Sequence, residues 1–88
     1  MSDANTQPVE QRIAILVRRL LAEHSIDHTV VVDEDLRLAG LSSLDMVSLV
    51  LSVEEEFGLM IPESGITPNN FRSVVAIAHL VDSLRAIS

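Results

Sequence analysis

The chain of 88 residues has no cysteine, no tryptophan, no tyrosine and no lysine, and only three glycines and three prolines. Without cysteine there is no disulfide framework, no thiolate zinc site and no cysteine nucleophile, and nothing in the chain calls for an oxidising compartment. Two phenylalanines are the only aromatics, too few for the stacking platforms on which nucleic-acid readers hold bases. All six basic residues are arginines, set against thirteen acids for a formal charge of −7, so nucleic acid and anionic membranes are poor partners. No apolar run approaches the roughly 18 residues of a membrane span, and Met1 to Pro8 lacks the basic-then-apolar order of a secretory leader. The expected location is therefore the cytoplasm, without membrane insertion. A chain this short buries only about 60% of its unfolded surface, which leaves little room for an enclosed catalytic pocket, and an enzyme is disfavoured.

What is present is the make-up of one globular domain over residues 1–88, 48% hydrophobic and 22% charged, with no internal repeat or Gly/Ser linker to divide it. Residues 1–7 are expected to be flexible. Charge is unevenly spread: Asp27 to Glu63 carries nine of the acids and only Arg37, while the flanks carry four acids and five arginines. Such an acidic middle steers basic partners and speeds association, an effect that fades with salt. The bland alternative is charge that only keeps the chain soluble.

Val9, Ile13, Leu16, Val17, Leu20 and Leu21 recur on one helical face, with Arg12, Arg18, Arg19 and Glu23 off it. Thr6 or Asn5 can cap this first helix, Pro8 suits its first turn, and the period fades at Glu23-His24-Ser25. The connection from about Ser25 to Leu41 includes Thr29-Val30-Val31-Val32, which would pass for a strand if a second strand existed to pair with it. It is read as an ordered loop whose Ile26, Val30, Val32, Leu36 and Leu38 tuck into the core. A second helical stripe opens after Gly40-Leu41-Ser42-Ser43, carries Leu44, Val47, Val50 and Leu51, is widened by Met46, Leu49, Val53 and Phe57, and stops at Gly58. Pro62 and Gly65 leave room only for a short helix near Thr67 to Phe71, after which Ser73 caps a last helix through Val74, Ile77, Ala78, Val81 and Leu84. The predicted fold class is all-α: a small irregular four-helix bundle, with three principal helices, one short third helix and a long loop between the first two.

His24 and His28 stand four apart, as metal-binding pairs do, but the helical period has faded there and His79 is distant. They read as surface residues, and no metal is assigned. Asp33-Glu34-Asp35-Leu36-Arg37 opens like a calcium loop, yet Arg37 falls where the third ligand belongs and Leu38 where the glycine belongs. Ser43 is not in a Gly-x-Ser-x-Gly elbow and no histidine has a defined relation to it, so no catalytic residue is assigned. The informative segment is Gly40-Leu41-Ser42-Ser43-Leu44-Asp45-Met46-Val47, a pair of hydroxyls where an amphipathic helix starts after a long loop. A helix start has free N–H groups and a positive dipole end, so a phosphodiester on a serine there is electrostatically favoured. Helix capping by Ser-Ser explains the same residues, and physics alone leaves both readings open.

That segment, taken with Val53-Glu54-Glu55-Glu56-Phe57-Gly58-Leu59-Met60-Ile61-Pro62, resembles the acyl carrier protein family. In that family an Asp-Ser-Leu motif opens the second helix, which runs into an acidic patch, then Phe-Gly, then Ile-Pro. The resemblance covers roughly Leu36 to Leu84 and implies that Ser43 is the attachment point of 4′-phosphopantetheine, donated by coenzyme A through a phosphopantetheinyl transferase. Ser42 stands where the family most often has Asp, and the register of Leu44-Asp45-x-Val47 selects Ser43 over Ser42. Ser48 stands where fatty-acid carriers usually have an acid, and Ile66 to Val74 looks more like discrete carriers of specialised pathways, including amino-acid-loaded ones. The resemblance implies a non-catalytic, monomeric shuttle whose cargo is held as a thioester on the group's thiol, while partner enzymes supply the chemistry.

The function so implied is an acyl carrier of fatty-acid, lipid or secondary-metabolite synthesis, loaded by an acyl- or aminoacyl-loading ligase and visited by acyl-processing enzymes with basic docking patches. One alternative is an aminoacyl or peptidyl carrier loaded by an amino-acid-activating ligase. Another, of a different class, is an acidic helical interaction module without a prosthetic group, in which Ser43 does no more than cap. Exposed Asp45, Glu54 and Glu55, with Glu56, would steer partners, and Leu44 and Met46 would offer apolar contact; a solvated face and core packing explain the same residues. Val47, Leu51, Phe57, Ile61 and Ile66 are candidate walls of an acyl cavity between the second helix and the short third, and equally candidate core.

Overall fold

A computed structural model describes residues 8–87, Ile87 by its backbone alone. Four α-helices follow one another: α1 Val9–Glu23, α2 Leu36–Ala39, α3 Ser43–Phe57 and α4 Val74–Ile87, with a 3-10 turn at Glu63–Gly65. Among the described residues there is no strand, and no helix is long and apolar enough to cross a membrane.

The all-α class and the number of helices agree with the sequence, but the short helix lies in the first connection and not at Thr67 to Phe71. In that later stretch the Phe71 N–H reaches the Thr67 carbonyl at 3.2 Å and forms only a turn. Local side-chain bonds compete with a helix there: Thr67 Oγ1 accepts the Asn70 N–H at 3.1 Å and the Asn70 amide donates to the Gly65 carbonyl at 2.9 Å. α2 forms because Asp35 caps it, its Oδ1 accepting the Arg37 N–H at 2.9 Å, and it ends at Gly40, whose φ of 125° suits glycine. The same N–H holds the Asp35 carboxyl below its usual range.

α1 packs against both α3 and α4. The centre of the core is Ile13, Val17 and Leu21 from α1, Leu49 and Val53 from α3, and Val74, Ile77 and Val81 from α4, joined by Leu36 from the connection. Each such side chain removed from water contributes about 1.5–3 kcal/mol. Pro8 holds the N-cap position of α1 without a side-chain cap, and the proposed caps Asn5 and Thr6 lie outside the described residues. Arg12, read as off the apolar face, is buried. Its guanidinium donates to Glu56 Oε2 at 2.9 Å and to the Glu56 carbonyl at 3.0 Å, and lies 4.3 Å from the Phe57 ring centre.

The long connection is ordered by bonds of its own. The Leu36 N–H donates to the Arg72 carbonyl and the Val75 N–H to the Val32 carbonyl, both at 2.8 Å, which fastens the connection to the start of α4. Glu34 accepts the Val31 N–H at 2.7 Å and pairs with His28 at 2.8 Å, and these contacts, the N–H first, hold its carboxyl below the usual range. Ile26 and Val30 pack on the core as expected, whereas Val32, expected to tuck in with them, is 39% exposed. Leu38 does not tuck in: it is 87% exposed, because Leu36 takes the core side of α2 and a residue two further along faces away. α3 stops at Gly58, in the left-handed region at φ 61°. Ser73 caps α4, its Oγ accepting the Ala76 N–H at 3.1 Å.

Candidate functional site

The two adjacent serines at the start of α3 have different surroundings. Ser42 is the N-cap: its Oγ accepts the Asp45 N–H at 3.3 Å, while Asp45 Oδ2 accepts the Ser42 N–H at 2.8 Å and the Ser42 hydroxyl at 2.9 Å. This is a reciprocal capping box. Ser43 is the first helical residue, it is exposed, and among the described residues no hydrogen bond engages its hydroxyl. Capping therefore accounts for Ser42 and leaves Ser43 free. The N–H groups of Ser43 and Leu44 also have no acceptor among the described residues. A free hydroxyl thus sits beside two open donors and the positive end of a 15-residue helix.

Asp45 does not stand out as a steering charge, as the sequence suggested. It is buried at 8% exposure, because its carboxylate closes the capping box and accepts the Nε2–H of His24 at 2.7 Å. The Ser42 N–H first, and then the His24 imidazole, hold this carboxyl below the usual aspartate range. His24 is the C-cap residue of α1, so one hydrogen bond ties the end of the first helix to the start of the site helix. A separation of 21 residues hid this contact from any pattern in the sequence.

Two of the other three acids of α3 are engaged by partners within the fold, although Glu54 is only half-buried and Glu56 remains exposed. Glu54 accepts the Ile61 N–H at 2.8 Å and Glu56 pairs with Arg12 at 2.9 Å. Of this group, Glu55 alone is exposed without a hydrogen bond or ion pair among the described residues. Leu44 is on the surface, not in the core, and Met46 is half-buried against it.

An open groove of about 240 Å³ adjoins Ser43. α3 contributes Ser43, Met46 and Val47, the segment before α4 contributes Ile66 and Phe71, and Arg37 and Arg72 bring positive charge, with no acid in the lining. Of the five candidate cavity walls only Val47 and Ile66 line it. Leu51 stands on the outer face of α3 at 61% exposure, and Ile61 is in the core at 5%. Phe57 is covered by arginines, with the Arg12 and Arg85 guanidiniums 4.3 and 6.0 Å from its ring centre. A phosphodiester on Ser43 would meet open N–H donors, a helix N-terminus and two arginines in the adjoining groove, so these residues fit a phosphate-linked arm.

Comparison with known proteins agrees with this geometry. Residues 11–81 match the family described as the phosphopantetheine attachment site. The chain is 42% identical over 73 residues to Aminoacyl carrier protein 2 of Bradyrhizobium diazoefficiens, covering 83% of this chain and 82% of that protein. It is equally similar to Aminoacyl carrier protein 1 of the same organism, with 42% identity over 73 residues and 81% of that protein covered. Among solved structures it resembles a chain in the crystal structure of Bradyrhizobium japonicum glycine:[carrier protein] ligase complexed with glycylated carrier protein, at TM-score 0.71 and 42% identity, covering 82% of this chain and 97% of that one. The complex of that ligase with its cognate carrier protein and a glycyl adenylate analogue gives TM-score 0.73 and 41% identity, over 85% of this chain and 97% of that one.

Proposed function

Since the chain belongs to the phosphopantetheine-binding carrier family, whose members carry 4′-phosphopantetheine covalently, we propose that it is an aminoacyl carrier, modified on Ser43 and loaded by an amino-acid-activating ligase. The observation that carries the choice of Ser43 is the division between the two serines: Ser42 is engaged in the capping box while Ser43 offers an exposed, unbonded hydroxyl. The group supplies a thiol at the end of a flexible arm, on which a carboxylic cargo is held as a thioester. The chain's own residues do the rest. Ser42, Asp45 and His24 fix where α3 begins and so where the Ser43 hydroxyl stands. The open N–H groups of Ser43 and Leu44 at the start of α3 favour a phosphate at that point, and Arg37 and Arg72 line the groove that adjoins it.

An amino acid is preferred as cargo because the similar curated proteins are aminoacyl carriers and the similar solved structures contain a glycine:[carrier protein] ligase. Fatty-acid synthesis, the first expectation from the sequence, finds no specific support in these similarities. In this reading the chain is a shuttle and contributes no catalytic group, and its task is to present cargo at high effective concentration to one enzyme after another. The test is to modify the chain with coenzyme A and a phosphopantetheinyl transferase, then supply ATP, glycine and the Bradyrhizobium ligase. A hydroxylamine-labile glycyl adduct on wild type and none on Ser43→Ala supports the proposal. Loading by an acyl ligase with a fatty acid, and by no amino-acid ligase, would overturn it.

A further inference from the structure

The capping box shapes the first turn of α3 without placing it. Its bonds run from the Ser42 N–H and hydroxyl to Asp45 Oδ2 and from the Asp45 N–H to Ser42 Oγ. All lie within residues 42–45, so they travel with the turn wherever it goes. One polar contact leaves the turn: the other oxygen of the same carboxylate, Oδ1, accepts the Nε2–H of His24 at 2.7 Å. Among the described residues this is the hydrogen bond that joins the first turn of α3 to the end of another helix. His24 stands on a firm base. Its own N–H donates to the Leu21 carbonyl at 3.0 Å, and the Ser25 and Ile26 N–H groups close onto Ala22 and Leu21, both at 2.9 Å. Leu21 is 1% exposed in the core. The chain leading to Ser42 passes close over the same place, since a Cβ added at Gly40 would lie 2.7 Å from Ile26 Cδ1 and 3.7 Å from Leu21 Cδ2.

We propose that His24 is a positioning residue for the modification of Ser43, acting through Asp45, an inference that rests on the carrier reading. In that reaction Ser43 Oγ bonds to the coenzyme A phosphorus that bears pantetheine and the phosphoanhydride bond breaks. Adenosine 3′,5′-bisphosphate leaves, and the hydroxyl proton is released in the transferase active site. His24 touches none of these atoms. It pins the Asp45 carboxylate from outside the turn, so that the Ser43 hydroxyl is presented at a fixed place relative to the body of the domain. A reacting group must be held to within about 0.5 Å of its productive position. Without the His24 bond Oδ1 loses its partner, and the first turn, an end that frays readily, visits positions from which the hydroxyl misses its target.

The test follows the initial rate of phosphopantetheine uptake by the full-length chain, from coenzyme A and a promiscuous transferase, well below the melting temperature of every variant. Because the chain is the substrate, KM and kcat separate the two roles a residue can have. A variant that merely folds less often dilutes the competent substrate and raises KM, whereas a misplaced hydroxyl lowers kcat. His24→Ala is expected to lower kcat about fivefold with KM within about twofold of wild type, and His24→Gln, which keeps an N–H donor, to restore kcat to within about twofold. In an Asp45→Ala background His24→Ala should lower kcat no further. Gly58→Ala strains the far end of α3 and should leave kcat unchanged. A His24→Ala kcat within about twofold of wild type overturns the proposal. So does a loss confined to KM, a lost kcat that His24→Gln does not restore, or a further fall in the Asp45→Ala background. No uptake by the folded wild-type chain is a different result and overturns the carrier reading beneath the proposal.

Discussion

Replacing Asp45 by alanine removes the acceptor of three hydrogen bonds in one step: from the Ser42 N–H at 2.8 Å, the Ser42 hydroxyl at 2.9 Å and His24 Nε2 at 2.7 Å. Loss of half a capping box costs about 1 kcal/mol, and the Ser42 N–H left without its acceptor costs about 1 kcal/mol more. The His24 contact is discounted to about 0.5 kcal/mol, because the imidazole is 46% exposed. The expected loss is therefore about 2–3 kcal/mol, which for a domain of this size lowers Tm by about 10–20 °C. Thermal unfolding followed by circular dichroism reads this directly, and a double-mutant cycle with His24→Ala should return a coupling of about 0.5 kcal/mol. The folded-state carboxyl of Asp45 is held below its ordinary value. Its contribution is accordingly full above the unfolded-state value, near pH 4, and disappears as pH falls through the lower folded-state value. Wild type should lose Tm relative to Asp45→Ala only on that acid side, with Glu34 and Asp35 adding losses of the same sign to both proteins. An Asp45→Ala protein that melts within about 2 °C of wild type at pH 7 would refute the reasoning.

The two serines should separate in stability as they do in structure: Ser42→Ala is expected to cost about 1 kcal/mol and Ser43→Ala to stay within about 0.5 kcal/mol, measured by urea unfolding. Gly58→Ala should cost about 1 kcal/mol through backbone strain alone, since φ is 61° and no atom stands within 4 Å of an added Cβ; an unchanged Cm would show that α3 can end otherwise. Arg12→Ala, which removes the Glu56 bonds and the Phe57 ring contact, should cost about 2 kcal/mol, and an effect below about 0.5 kcal/mol would mean that water replaces the pair.

What the sequence made legible was whatever is local. The period of Ile13, Val17 and Leu21, the stop at Gly58 and the cap at Ser73 each act within a turn or two of the chain, and each is where the pattern put it. α2 was missed because four residues are too few to show a period, and its signal is a single Asp35 cap within a stretch read as loop. The site was half legible. Motif register separated Ser43 from Ser42, but the sequence credited both with capping, and only the geometry divides the work between them. Three acids of α3 were misjudged for a physical reason: their partners, His24, Arg12 and the Ile61 N–H, lie 21, 44 and 7 residues away, so composition counted as free surface charge what the fold pairs and, for Asp45, buries. Val47 and Leu51, both exposed, were read as cavity wall or core because a helix pattern gives spacing without saying which face is covered, and α3 has apolar residues on more than one face.

The central claim is that Ser43 carries the phosphopantetheine, and intact-mass measurement tests it most directly. Wild type, Ser42→Ala and Ser43→Ala would each be incubated with coenzyme A and a promiscuous phosphopantetheinyl transferase after circular dichroism has confirmed their helicity. Wild type and Ser42→Ala should each gain the mass of one phosphopantetheine and Ser43→Ala none; uptake by Ser43→Ala, or none by folded wild type, would contradict the claim.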